Sequence, residues 1–328
     1  MTAVHPPGPA AGRFPADATL ADLGEFGLVD ELKTRFAQGD HVLLGPGDDA
    51  AVVAVPDGRV LVSTDLLVDT RHFRRDWASA LDIGHKAAAQ NLSDINAMGG
   101  RATALTVGLA APPDLDAAWA LELADGIAAE AALVGASVVG GDVTRAEEVM
   151  VAITVLGVCD GEPVRRSGAR AGDVVALAGR QGWAAAGLAV LARGFRSPRV
   201  LVEAHRRPEP PYADGAQDAA SGATAMIDLS DGLLGDVAHI AEASGVAIDI
   251  DTASFEVAEP LRAVGAALGA DPMQFILTGG DDHALVATFP AGTTLPDGWQ
   301  RIGEVAGGSG VTVDGAEYTG PAGHQHFR

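Results

Sequence analysis

Cysteine occurs once, at Cys159, and lysine only twice, at Lys33 and Lys86. A single cysteine excludes an internal disulfide and a cysteine-built zinc centre, and a reducing cytoplasm is the expected compartment. Basic side chains number 22 against 44 acidic ones, a formal net charge of -22. No basic stripe exists to follow a phosphate backbone or an anionic membrane, so nucleic acid is not an expected partner. The long apolar stretches are interrupted, for example by Arg180 and Gln181 in VVALAGRQGWAAAGLAVL, which leaves no membrane span. A Walker loop, a G-x-S-x-G elbow and the protein-kinase motifs are all missing. Residues 1–17 carry prolines but no apolar h-region, so a disordered tail is expected there rather than a signal peptide.

What is present is a chain of 328 residues with 48% hydrophobic content, long enough for two ordinary domains. After the tail, TLADLGEFGLVDELKTRF has apolar residues at helical spacing, then GPGDD opens a strand-like AAVVAV, and RVLVSTD follows as a second strand. In SALDIGHKAAAQNLSDINAMGG the residues Leu81, Gly84, Ala88, Leu92, Ile95 and Met98 form one stripe with a glycine pair as its stop, which predicts a buried helix. Further strands and helices alternate in a mixed α/β pattern. The expected boundary falls near Cys159, dividing the chain into 18–158 and 159–328, with HRRPEPPYADG as a connector inside the second part. GPGDDA superficially matches a dinucleotide fingerprint, but it precedes a strand instead of joining a strand to a helix, so it is set aside.

The carboxylates fall at repeated kinds of place. Asp48 and Asp49 stand just before a strand, and Asp65, Asp142 and Asp228 are each expected to end one. Ligands of open α/β sheets gather at strand ends, so these side chains can share a cleft. Each also has a local reading: Ser230 or Asp231 as a cap for LLGDVAHIAEAS, Asp48-Asp49 as a turn, Ser63-Thr64-Asp65 as a strand exit and VGGD as a bulge. Asp94 is different, because it lies near the C-terminal end of its helix, where the macrodipole disfavours negative charge by roughly 0.3 to 1 kcal/mol. Two carboxylates roughly 4 Å apart repel by about 4 kcal/mol at an effective dielectric near 20. Convergence therefore calls for cations. Hard oxygen donors without His or Cys favour Mg²⁺, whose open positions suit a nucleotide with several phosphates.

In this order the segments GPGDDAAVV, VSTDLLVDTRHF, HKAAAQNLSDINAMGG, VVGGDVTR, RRSGARAGD, MIDLSDGLLGD, LTGGDDHAL and HQHF resemble the thiamine-monophosphate kinase family. That family belongs with aminoimidazole ribonucleotide synthetase, selenophosphate synthetase and a hydrogenase maturation factor. The resemblance implies a two-domain α/β fold with mixed sheets, of the aminoimidazole ribonucleotide synthetase-like kind, whose N-terminal domains pair into a β-barrel in a homodimer. It implies transfer of the γ-phosphoryl group of ATP to thiamine monophosphate. By the family's motifs, Asp48, Ser63, Thr64, Asp65, Asp94, Asp142, Asp228 and Asp231 would hold several Mg²⁺ ions. Gly141, Asp142, Arg166 and Ser230 would touch ATP, and His72, Asp281 and His324 the acceptor.

The family usually has Glu in GGED with an aromatic after it, whereas this chain reads Gly279-Gly280-Asp281-Asp282-His283. An aromatic often faces the thiamine ring near the C-terminus, and His324 stands at that place. Asp281 keeps the charge on a shorter arm, and imidazole can still stack with less area. The rival readings are another ATP-using enzyme of the superfamily and a catalytically silent nucleotide or metal sensor. Selenophosphate synthetase and the hydrogenase factor rely on cysteines at places where this chain has none.

Overall fold

A Ser-x-x-Asp pair starts the helix that organises the molecule. Ser79 accepts from the Asp82 amide, and the Asp82 carboxylate reaches back to the Ser79 amide, closing a capping box. The computed structural model describes residue 15 and residues 17–46, 51–212 and 222–324. Asp48 and Asp49, and all of 1–17 except residues 15 and 17, lie outside the described residues, as do 213–221 and 325–328.

The elements run α1 (Leu20–Lys33), β1 (Val42–Leu44), β2 (Val52–Val53), β3 (Leu61–Val68), α2 (Ala80–Ala97), β4 (Arg101–Ala111), α3 (Ala117–Leu133), β5 (Ser137–Arg145) and β6 (Met150–Val158). They continue with β7 (Val174–Ala178), α4 (Trp183–Ala192), α5 (Arg199–Arg206), β8 (Ala225–Asp228), α6 (Leu233–Ser244), β9 (Ala247–Ile250), α7 (Glu259–Leu268) and α8 (Pro272–Thr278). The last strands are β10 (Leu285–Phe289), β11 (Trp299–Ala306), β12 (Gly310–Val313) and β13 (Ala316–Glu317).

Two sheets result. The first has order β3-β6-β4-β5, antiparallel except for the parallel β4–β5 pair. The second has order β13-β12-β9-β11-β7-β10-β8 and is antiparallel except where β12 runs beside β9. This is the mixed α/β class that the sequence pattern predicts. Among the described residues no helix is long and apolar enough to cross a membrane.

Helices α2 and α3 cover one face of the first sheet. Ile83, Leu92 and Ile95 are almost fully buried there, each contributing on the order of 1.5 to 3 kcal/mol. The two helices meet backbone to backbone: a Cβ on Gly84 would lie 2.1 Å from the Leu123 carbonyl oxygen, and one on Gly126 would lie 2.2 Å from that of Leu81. Only glycine permits this approach, which sets the close spacing of α2 and α3. The C-terminal end of α2 reaches the second sheet, where Ala97 joins Met226, Leu285 and Phe289 in a shared core.

Several local expectations change in three dimensions. AAVVAV yields only the two-residue β2 among the described residues. Asp65 and Asp142 do not end their strands. β3 runs on because Leu66–Val68 pair with Met150–Ala152, and β5 runs on because Val143–Arg145 pair with Leu109–Ala111. A bulge does occur in VVGGD, at Val139, where the register with β4 slips. The connector is no free linker: Arg207 bonds to Asp82, Asn96 Nδ2 donates to the Pro211 carbonyl at 3.4 Å, and the Tyr212 hydroxyl donates to Glu130 at 2.9 Å.

Candidate active site

Residues Lys86, Gln90 and Asp94 recur every four positions along α2 and so share one face. That face looks at β3 from one side and at the 279–283 loop from the other. Strand alternation puts Ser63 and Asp65 toward the helix, and the Asn91 side chain clips the two elements together by accepting from the Asp65 amide at 3.0 Å. The Ser63 hydroxyl donates to Asp94 Oδ2 at 2.5 Å. This is the compensation that a carboxylate at a helix C-terminus requires, but it is incomplete. Burial first, and then the negative charge of Asp228, push Asp94 up to about 7.

Asp228 arrives from the other half of the chain, at the end of β8. Its Oδ2 lies 3.1 Å from Nδ1 of His283, and both side chains are buried. Burial would lower the imidazole's pKa, yet the hydrogen bond and charge of Asp228 hold it above its usual value. Burial also raises Asp65, opposed by the attraction of His283 and reinforced by the repulsion of Asp228, while the Gln90 side chain hydrogen-bonds to it. Asp65, Asp94 and Asp228 therefore sit within electrostatic reach of one another, although they come from β3, α2 and β8.

The turn after β8 uses a different device from the cap anticipated at Ser230 or Asp231. Neither residue caps α6, whose N-cap is Gly232 without a side-chain cap. Asp236 instead reaches back from the first turn and accepts from the amides of Asp231 and Gly232, at 3.1 and 3.0 Å. Burial raises Asp236 to about 7 against those amides, with Asp228 and Asp231 adding repulsion. The Ser230 side chain is left exposed. The Ser230 carbonyl accepts the Asp281 amide at 2.9 Å, and a Cβ on Gly280 would lie 2.1 Å from that oxygen, so the two loops are locked face to face.

Asp281 and His283 both adopt left-handed backbone angles, with φ of 71° and 53°, uncommon for residues other than glycine. Lys86 Nζ donates to Asp281 Oδ2 at 2.7 Å. Burial raises Asp281, but the ammonium of Lys86 and then His205 bring it down to about 2. Between these two residues Asp282 turns inward and accepts from the amides of Gly182 and Ala184, at 2.7 and 2.8 Å, at the start of α4.

The remaining expected residues are dispersed. Thr64 points to the opposite face of β3, donating to the Ile153 carbonyl at 2.9 Å beside Thr154. Gly141 and Asp142 lie on β5, the far edge of the first sheet, three strand spacings or about 14 Å from β3. They line a cavity of about 710 Å³ with Pro46, Ala51, Phe36 and Lys33. Arg166 is exposed, its carbonyl accepting from Ser244 at 3.1 Å. His72 accepts the Val68 amide on Nδ1 at 3.0 Å and lines a narrow crevice with Trp77, Lys86 and His205. The His324 amide donates to the Asp231 carbonyl at 2.9 Å, placing the C-terminal segment against the turn after β8.

His283, Lys86, Gln90, His205 and Asp236 join the site without having been expected there. Only Asp236 has a local signal, an acid in the first turn of a helix. Among the described residues no three His, Cys, Asp or Glu side chains already converge on one point that could hold a metal ion. Each central carboxylate is instead occupied by a protein donor: Gln90 on Asp65, Ser63 on Asp94 and His283 on Asp228. The donors are hard oxygens, and their burial and crowding raise Asp65 and Asp94, a set that a divalent hard cation fits.

Two family models match the chain: the AIR synthase related protein, N-terminal domain, over residues 47–159, and the C-terminal domain of the same description over 170–315. The chain is 51% identical over 312 residues to the thiamine-monophosphate kinase of Mycobacterium tuberculosis (strain CDC 1551 / Oshkosh), covering 94% of this chain and 93% of that one. The crystal structure of thiamine-monophosphate kinase from Stenotrophomonas maltophilia K279a superposes with a TM-score of 0.79 at 33% identity, covering 89% and 96%. AaThiL complexed with AMPPCP and TMP gives a TM-score of 0.79 at 32% identity, covering 94% and 99%.

Proposed function

Because the chain belongs to the AIR synthase related family, and within it to the thiamine-monophosphate kinases, we propose that it transfers the γ-phosphoryl group of ATP to thiamine monophosphate. The new bond forms between the acceptor's phosphate oxygen and the γ-phosphorus. The bond to the β-phosphate oxygen breaks, and ADP and thiamine diphosphate leave. A phosphate monoester has its second pKa near 6, so the attacking oxygen is already ionised at neutral pH and no side chain has to remove a proton. Positioning and charge neutralisation are then the whole task.

The observation that carries this reading is the meeting of Asp65 and Asp94 with Asp228 across the two halves of the chain. On this reading Asp65, Asp94 and Asp228 would hold Mg²⁺, with Ser63 and Asp231 beside them. Bound Mg²⁺ supplies Lewis-acid neutralisation of the transferring group. Gly141 and Asp142, with Asp48, belong on this reading to the nucleotide end, supported by the cavity that Gly141 and Asp142 line. Ser230 and Arg166 complete the nucleotide contacts. His72, Asp281 and His324 face the acceptor. Thr64, turned to the other face, is not among the ligands we propose.

The same reading includes two domains, 18–158 and 159–328, a cytoplasmic location and a homodimer. An uncovered apolar surface supports the last of these: Val62 is 58% exposed and Leu66 45% on one face of β3, and Leu43 on β1 is 69% exposed. Two such four-stranded sheets can close into a barrel of eight, which removes their exposed edges.

Purified protein incubated with ATP, Mg²⁺ and thiamine monophosphate is expected to yield thiamine diphosphate, separable by chromatography. Nucleotide binding without any product would support a silent sensor instead. ATP consumption without thiamine diphosphate would point to another acceptor.

A further inference from the structure

Of the two lysines in the chain, Lys33 at the end of α1 is 37% exposed and pairs with Asp30, whereas Lys86 is 3% exposed. Lysine is almost never buried this deeply without a partner. Its partner is Asp281, from the other half of the chain, and the pair is exposed unequally: 4% for the Lys86 side chain against 39% for Asp281. The ammonium is the buried end of the pair, and the Asp281 side chain keeps partial access to solvent. The backbone under Asp281 cannot drift, because its amide is bonded to Ser230 and the His283 amide donates to the Leu229 carbonyl at 3.1 Å.

Two further observations make this more than a structural bridge. His205 Nδ1 is buried 3.9 Å from the same Asp281 oxygen and has no hydrogen-bond partner among the described residues. Lys86 and His205 also line one narrow crevice with His72, Phe73 and Trp77, so the buried end of the charged pair borders a gap in the packing. Along α2, Lys86 precedes Asp94 by two turns, or about 12 Å, so one helix face carries this pair at one end and the phosphoryl-transfer carboxylates at the other.

We infer that Lys86 is a positioning residue of the acceptor pocket, fixing the Asp281 carboxylate against the cationic ring of an acceptor whose phosphate lies toward Asp94. The class recognised is an organic cation bearing a terminal phosphate. A fixed, partly exposed carboxylate attracts such a ring and repels an anionic one. This inference rests on the function proposed above, with Asp281 on the acceptor side.

The test is Lys86→Met in the full chain, assayed for thiamine monophosphate turnover and titrated separately with a nonhydrolysable ATP analogue and Mg²⁺. The expected result is a KM for the acceptor raised about tenfold or more, the scale of one charge-assisted hydrogen bond, with affinity for the ATP analogue within about twofold of wild type. Lys86→Arg should recover part of the loss. In an Asp281→Asn background, Lys86→Met should add little, since the two residues act as one unit.

An unchanged acceptor KM, an equal fall in nucleotide affinity, or full additivity with Asp281→Asn would overturn the inference. If Lys86→Met fails to fold by circular dichroism, Lys86→Arg and Asp281→Asn are read for the same split between acceptor and nucleotide. Wild-type turnover separates the two layers. Its absence sinks the kinase reading itself, whereas turnover with an unmoved KM sinks only the role of Lys86.

Discussion

Nδ1 of His283 lies 3.1 Å from Oδ2 of Asp228, and both side chains are buried at the point where β8 gives way to the turn before α6. The imidazole occupies a place where the family usually carries an aromatic ring, and it puts a hydrogen-bonding ring, its pKa raised by Asp228, beside Asp228, Asp65 and Asp94. Replacing it with Phe would keep a ring there but strip Asp228 of its donor. For His283→Phe a stability loss of about 1 to 3 kcal/mol is expected in metal-free protein, the range for leaving a buried acceptor without its donor. Urea unfolding in the presence of a chelator measures it. Added Mg²⁺ should restore part of the loss, and an unchanged denaturation midpoint would show that Asp228 does not depend on His283.

Asp228 and Asp65 themselves are expected to be indispensable for transfer. Asp228→Asn and Asp65→Asn each remove one charge from a crowded anionic site, so folding should be preserved while turnover falls by at least about a hundredfold. Initial rates across a Mg²⁺ series decide the matter. Either variant working near the wild-type rate at low Mg²⁺ would remove that residue from the proposed ligand set.

The same crowding gives stability a pH dependence. Burial, aided by neighbouring carboxylates, raises Asp94 and Asp236 from 3.8 to about 7 in the folded chain. A carboxyl group shifted upward binds its proton more tightly when folded than when unfolded. Its contribution is fully present below pH 3.8 and is lost as pH rises through about 7. Other groups share the acid range, so the useful reading is the difference between proteins. In chelator, wild type should lose melting temperature between pH 5 and 7.5 more steeply than Asp236→Asn, in steps of roughly a few degrees per unit. Parallel curves would place Asp236 outside this balance.

These features differ in how far the sequence discloses them, and the reason is range. Helix α6 falls on the expected LLGDVAHIAEAS because its stripe and its Gly245 stop are local, and α2 falls where Ser79, Asp82 and the Gly99-Gly100 pair frame it. The ends of β3 and β5 are hidden because strand length is set by partners on β6 and β4 rather than by the strand itself. The carboxylate set is recognisable from motif order. The contacts that organise it are not: Lys86 meets Asp281 across 195 residues, and Asp282 meets Gly182 across 100. Asp281-Asp282-His283 reads as one polar run, yet its three side chains go to Lys86, to the start of α4 and to Asp228.

For assembly, the decisive residues are Val62 and Leu66, which stand on the exposed face of β3 with Thr64 between them. A buried interface tolerates no charge there without a partner. Leu66→Glu is expected to shift the protein from dimer to monomer in sedimentation velocity at micromolar concentration. The shift should come with little loss of monomer secondary structure, because the side chain already lies outside the α2-facing core. A wild-type protein that sediments as a monomer would remove the dimer from the reading altogether.

His324 offers the sharpest test of the acceptor end. Its amide is held by the Asp231 carbonyl at 2.9 Å, so the last described residue is anchored to the turn that carries Ser230 and Asp231, while its side chain is exposed. A ring fixed at that place can stack on a flat acceptor, and the strength of stacking grows with ring area. Tyrosine has more area than imidazole and preserves the backbone bond, so His324→Tyr should lower the acceptor KM by roughly two- to tenfold, the value of about 0.5 to 1.5 kcal/mol of aromatic contact. The Mg²⁺ dependence should not move, because the substitution leaves Asp65, Asp94 and Asp228 untouched. A KM that stays the same or rises would place His324 outside the acceptor pocket and leave the anchoring of Asp231 as its role.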